Sequence, residues 1–186
     1  MPVRKFFAIL GLLCPLAWAA PPTDDLEQQA RAIADQFIGE LKPRLQQAMQ
    51  EGGPARAIEV CASAAPRIAD SLSAESGWLV RRVSLKSRNA SRSVPDSWER
   101  AVLESFDSRQ AAGEAADGLH FGELVGGHYR YMQAQGAGGL CLTCHGQGRS
   151  PTVSDTLEKF YPDDQAIGYQ LGQVRGAISL TASSKP

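Results

Sequence analysis

The chain has 186 residues with 19 basic and 20 acidic side chains, a formal charge of −1 and a hydrophobic content of 43%. This balance offers no basic excess or stripe to a nucleic acid, and no segment beyond the N-terminus is apolar for long enough to span a bilayer. The length suits one domain with a core of its own.

At the N-terminus, Arg4 and Lys5 precede an apolar run from Phe6 to Trp18, and Ala17 and Ala19 are small residues placed where a signal peptidase reads. This is the layout of a secretory signal peptide over residues 1–19, cut between Ala19 and Ala20. Cys14 leaves with it, because Leu13 stands where a lipoprotein signal needs a small residue. Residues 20–186 are then one domain of an exported, periplasmic protein. Loss of Arg4 and Lys5 lowers the 19 basic residues to 17, against 20 acidic ones.

From Asp24 to Gln50, Leu26, Ala30, Ile33, Phe37, Leu41 and Leu45 recur every three or four residues, and Asp24 and Glu27 have capping-box spacing. An amphipathic helix is expected, bent at Pro43 and broken by Glu51-Gly52-Gly53-Pro54. A second helix over Ala55 to Leu72 carries Ile58, Cys61, Ala65, Ile68 and Leu72 on one stripe, so the sulfur of Cys61 points inward. Pro66 is a candidate kink.

The period then changes. Trp78 to Leu85 reads as a strand with Leu79, Val83 and Leu85 on one side, and Lys86 to Val94 as turns. Pro95 opens a helix through Trp98, Val102 and Phe106, and Asp107 to Gly118 reads as a surface loop. Strands are expected over His128 to Gln135 and Gln173 to Thr181. Helices followed by strands, helices and loops indicate one α+β domain with a small antiparallel sheet.

Cys141-Leu142-Thr143-Cys144-His145 is the attachment signature of c-type haem. Two thiols on one tight helical turn reach the two vinyl groups along one porphyrin edge, and the adjacent His145 reaches the iron from below. Gly146 leaves space beside that edge. A thioredoxin-like dithiol would follow a strand inside a βαβ unit, and a structural zinc site would need a second Cys or His pair; neither context is present. One covalent haem c is therefore the expected cofactor.

No Met and no His follows His145, so any second axial ligand lies upstream: Cys61, Met49, Met132, His120 or His128. Met132 is close to Cys141, across too short a loop to reach the opposite haem face. Met49 ends a helix, where packing is the commoner role. Both histidines sit in polar, glycine-containing sequence. Cys61 is the thiol left over once Cys141 and Cys144 are bonded, and it points to the core, where it is either an inert buried cysteine or the ligand. Trp78, Tyr131 and Phe160 are either core residues or walls of the haem site.

Beyond the haem motif, the sequence resembles the exported single-haem c-type domains with a PAS-like fold, a family of haem sensors that occur alone or attached to kinases and cyclases. The resemblance rests on Ala57-Ile58-Glu59-Val60-Cys61, on Ser76-Gly77-Trp78 and on Arg82-Val83-Ser84-Leu85-Lys86-Ser87-Arg88-Asn89. It continues through Pro95-Asp96-Ser97-Trp98-Glu99, Tyr131-Met132, Cys141 to Gly146, Tyr161-Pro162-Asp163 and Arg175-Gly176-Ala177-Ile178-Ser179. It implies a PAS-like α+β domain with N-terminal helices packed on the sheet, and iron held by Cys61 and His145. One departure is Ala90, where such domains carry Pro.

Thiolate opposite imidazole stabilises ferric iron, so a low reduction potential is expected. Loss of the thiolate on reduction would open a position for CO or NO, making the domain a redox or gas sensor with a redox or signalling protein as partner. A low-potential electron carrier is the alternative. A five-coordinate gas binder like the cytochromes c′ fits less well, because the clearest strand follows the motif. Arg88 is the candidate partner of a haem propionate. With no distal acid–base His in place, no catalytic residue and no enzymatic activity is expected.

Overall fold

The computed structural model describes residues 23–182, and the signal peptide expected over residues 1–19 lies outside them. The chain opens on a long helix, α1 (Thr23–Ser76), broken once, where Gly52 (φ −151°, ψ 18°) and Gly53 (φ 65°, ψ −158°) leave helical geometry. Gly53 takes a positive φ that other residues resist, so the break falls at the Gly-Gly-Pro sequence and divides α1 into two arms. Pro43 and Pro66 lie within the arms without a second break.

Next come β1 (Trp78–Val83) and α2 (Ser97–Ala111). Asp96 caps α2 in a capping box: its side chain accepts from the Glu99 backbone, and the Glu99 side chain accepts from the Asp96 backbone. α2 extends to Ala111, and a 3-10 turn occupies Ala116–Gly118, so the segment expected as a loop from Asp107 to Gly118 is largely helical. β2 (His120–Val125), not anticipated, pairs with β3 (His128–Gly136) across a hairpin in which Gly126 and Gly127 both have positive φ. The haem motif forms the short helix α3 (Gly139–His145), and α4 (Pro151–Phe160) follows, capped by Ser150. The last strand is β4 (Val174–Ala182).

The four strands form one antiparallel sheet in the order β1-β4-β3-β2. The fold class is α+β, as expected. Both sheet faces are covered. Phe37, Ile68 and Leu72 of α1 pack on Trp78, Val80, Tyr129, Tyr131, Ile178 and Leu180. Val102, Leu103 and Phe106 of α2 pack on Val83, Met132, Ala134 and Ala177 from the other side. Leu79 shares the α2 face with Val83, but it is 54% exposed.

The pairing of β3 with β4 shifts at Gln135/Gly136. Gln135 faces Gly176 and Gly136 faces Val174, so Arg175 has no partner. This bulge turns Arg175 out of the sheet's alternation and toward the haem motif. It also requires Gly176: φ is +155°, and a Cβ there would lie 2.4 Å from the Val83 carbonyl oxygen.

Candidate functional site

Where both arms of α1, the ends of β1 and β3, and α3 meet, they enclose a cleft of about 960 Å³. Cys61, Cys141, Cys144 and His145 all line it, as do Met49, Tyr161 and five arginines, among them Arg82, Arg88 and Arg175. Helical periodicity turns Ile58 and Ala65 of the second arm the same way as Cys61, and both also line the cleft. α4 backs this wall, with Val153 and Leu157 packed on Ile58 and with Cys144 and Tyr161 at the margin.

The other upstream candidates for a ligand separate clearly. Met132 is fully buried on the α2 face of the sheet. His120 contacts the Gly118 carbonyl and Arg31, and the His128 ring contacts the Ala182 carbonyl; neither lines the cleft. Trp78 and Tyr131 are core residues under α1, and Phe160 packs with α4; none of them lines the cleft either.

His145 is held by the chain segment that follows α4. Its Nδ1 lies 3.0 Å from the Ala166 carbonyl oxygen, and its own carbonyl accepts from the Tyr169 N–H at 3.0 Å. A carbonyl only accepts, so with a metal on Nε2 it is Nδ1 that would carry the proton and donate to Ala166. Arg175 Nε lies over the ring edge, 2.9 Å from Nδ1 and 3.4 Å from Nε2. Burial, then the Arg175 and Arg88 charges, hold the His145 pKa far below the ordinary imidazole value, so the ring is neutral. A neutral imidazole whose other nitrogen is tied to a carbonyl is the form in which histidine binds a metal.

Cys61, Cys141 and Cys144 are free thiols. Burial pushes the Cys61 pKa above the ordinary thiol value, against the pull of Arg82, Arg88 and Arg175. Burial raises that of Cys144 as well, with Arg88 opposing. Among the described residues, no three His, Cys, Asp or Glu side chains converge to hold a bare metal ion. The potential ligands are instead arranged around the cleft.

Arg88 is placed at the site, with its Nε and Nη2 bonded to protein. Its Nε and Nη2 reach the Asp164 carboxylate at 3.2 and 3.4 Å, and Nη2 donates to the carbonyls of Cys144 (2.6 Å) and Ala166 (3.4 Å). It therefore braces α3 from below. Arg149 joins the same carboxylate at 3.1 Å, and Asp164 also accepts from the Ala166 N–H at 2.9 Å. Arg82 and Arg175 have no carboxylate partner among the described residues. Arg82 lies 5.9 Å from the centre of the Phe37 ring, and Arg175 donates to Ser84 Oγ at 3.0 Å. Burial, the largest influence, lowers the Arg175 pKa to about 10.

Sequence reading missed Arg82, Arg149, Asp164, Ala166 and Arg175 as members of the site. Arg82 and Arg175 both stand in segments that carry the family resemblance, and Arg82 also occupies a strand position where an apolar residue would be ordinary.

The profile of the Tll0287-like family matches residues 20–183. No protein of curated function matches the sequence. Among solved structures, the fold is similar to that of the cyanobacterial heme-protein Tll0287, at 23% identity and a TM-score of 0.62, covering 89% of this chain and 98% of that one.

Proposed function

We propose that this chain, which belongs to the Tll0287-like family, is an exported, periplasmic c-type cytochrome with one covalent haem and acts as a redox or gas sensor for CO or NO. Cys141 and Cys144 attach the haem, and His145 and Cys61 ligate its iron. The observation that carries this reading is that Cys61, 80 residues before the motif, opens onto the same cleft as Cys141, Cys144 and His145. The solved relative is described as a heme-protein, which supports the same cofactor here. We read the sheet with α1 packed on it as PAS-like.

The residues present fit a haem. The cleft is of the size that encloses cofactors. Two guanidinium groups without a carboxylate partner, Arg82 and Arg175, suit the two propionates better than Arg88, which Asp164 already engages. Iron on Nε2 of His145 would leave Nδ1–H to donate to the Ala166 carbonyl 3.0 Å away.

Bound there, haem supplies one-electron redox chemistry and an iron that takes diatomic ligands. Cys141 and Cys144 would each add S–H across a vinyl double bond, a redox-neutral step with no leaving group. Cys61 then couples ligation to oxidation state. Burial keeps its thiol above the ordinary pKa, so the thiolate depends on ferric iron more than on the surrounding arginines. Cys61 would hold ferric iron as a thiolate, and on reduction the same burial would favour return of the proton to its Sγ. The partner would be a redox or signalling protein.

A low-potential electron carrier is the second reading, favoured by the position of α3, every residue of which is at least partly exposed. A haem attached there would have an edge near the surface, within reach of a redox partner. The two readings separate on anaerobic reduction of the purified protein under CO. Loss of the sulfur ligand and CO binding support the sensor. Unchanged six-coordination with fast electron exchange supports the carrier.

A further inference from the structure

Three donors converge on one carbonyl oxygen beneath His145. His145 Nδ1 lies 3.0 Å from Ala166 O, Arg149 Nη2 lies 2.8 Å from it and Arg88 Nη2 lies 3.4 Å from it. A carbonyl oxygen has two lone pairs. Arg88 makes its shorter bond to the Cys144 carbonyl, at 2.6 Å, so the effective competitors at Ala166 are Arg149 and His145. Arg149 is fixed in this position: its side chain is only 11% exposed, and it also bonds Asp164 at 3.1 Å.

The strength with which Nδ1–H is held controls the basicity of Nε2, because a good acceptor draws the N–H proton away and makes the ring more electron-rich. A guanidinium that bonds the same acceptor withdraws electron density from it. We infer that Arg149 is a positioning residue that weakens the hydrogen bond between His145 and Ala166, and so sets the proximal imidazole as a moderate rather than a strong donor to iron. This rests on the reading of His145 as a haem ligand.

The sign separates tuning from bracing. If Arg149 only braced the segment, its loss would lengthen the bond between His145 and Ala166 and weaken the iron–histidine bond. If it competes for the carbonyl, its loss strengthens that bond. The reduction potential does not decide, because removing a cation lowers it in any case.

The test is resonance Raman spectroscopy of the ferrous holoprotein in a Cys61→Ala background, where the iron is five-coordinate and its bond to His145 gives a stretching band. Arg149→Met is expected to move that band to higher wavenumber, and Arg149→Lys, which keeps a donor and the charge, to return it most of the way. A shift to lower wavenumber or no shift would overturn the inference while leaving haem ligation by His145 intact. Absence of the band before Arg149 is altered would sink the ligation itself and this inference with it. Should Arg149→Met fold poorly, the comparison of Arg149→Lys with Arg149→Gln carries the same test, the band lying higher in the glutamine variant.

Discussion

Replacing Asp164 by Asn keeps the shape of the side chain and removes the charge that two arginines share. Asp164 is 5% exposed, against 10% for Arg88 and 11% for Arg149, and it also accepts the Ala166 N–H. Removing one member of a buried ion pair costs about 3–5 kcal/mol, since the remaining charge stays buried without compensation. Both arginines here keep carbonyl acceptors, Cys144 for Arg88 and Ala166 for both, which places the loss near the lower end, about 3 kcal/mol. For a domain of this length each 1 kcal/mol moves the melting temperature by about 2–4 °C, so Asp164→Asn should melt about 6–12 °C lower. The assay is thermal unfolding of the holoprotein followed by circular dichroism. Asp70→Asn serves as the control, because Asp70 is 61% exposed and its partner Arg92 is 47% exposed, a surface pair worth about 0–1 kcal/mol. Equal melting of the two variants would refute the view that Asp164 organises the floor of the site.

Gly176→Ala forces a Cβ to within 2.4 Å of the Val83 carbonyl oxygen at φ +155°, and should destabilise the protein by about 2 kcal/mol or more in urea titration. Phe37→Ala empties a fully buried position under the sheet and should cost about 3–5 kcal/mol by the same measurement. At Asp96, burial raises the pKa, but the Glu99 N–H and Arg130 outweigh it and hold the carboxyl below its ordinary value. The stability contributed by this cap is therefore present above the ordinary carboxylate pKa and lost as the pH falls through the lower folded value. Asp96→Ala should cost about 1 kcal/mol at neutral pH, and less in acid.

Much of this arrangement is legible in the sequence, and what is not has a physical reason. The break at Gly52–Gly53 and the inward stripe through Cys61 follow from glycine's conformational freedom and the 3.6-residue period, both local properties. β2 was hidden because His120, Gly122 and Glu123 interrupt the apolar alternation on which a strand is recognised. In β1 the side carrying Val83 and Leu85 was legible, but the strand ends at Val83 and its other face, Trp78 and Val80, is buried under α1. Arg175 is aimed at the site by a bulge that only the pairing of β3 with β4 defines. Arg88 was legible as a residue of the site, but its ion pair was not. Its partner Asp164 lies 76 residues downstream, and no local pattern joins the two.

The measurement closest to the central claim is electron paramagnetic resonance of the ferric protein before and after Cys61→Ser. A low-spin thiolate–imidazole signal that disappears in the variant, with the haem still covalently attached in both, is the result the account predicts. The same low-spin signal in Cys61→Ser would contradict it, and would direct attention to Met49, the other upstream candidate that lines the cleft.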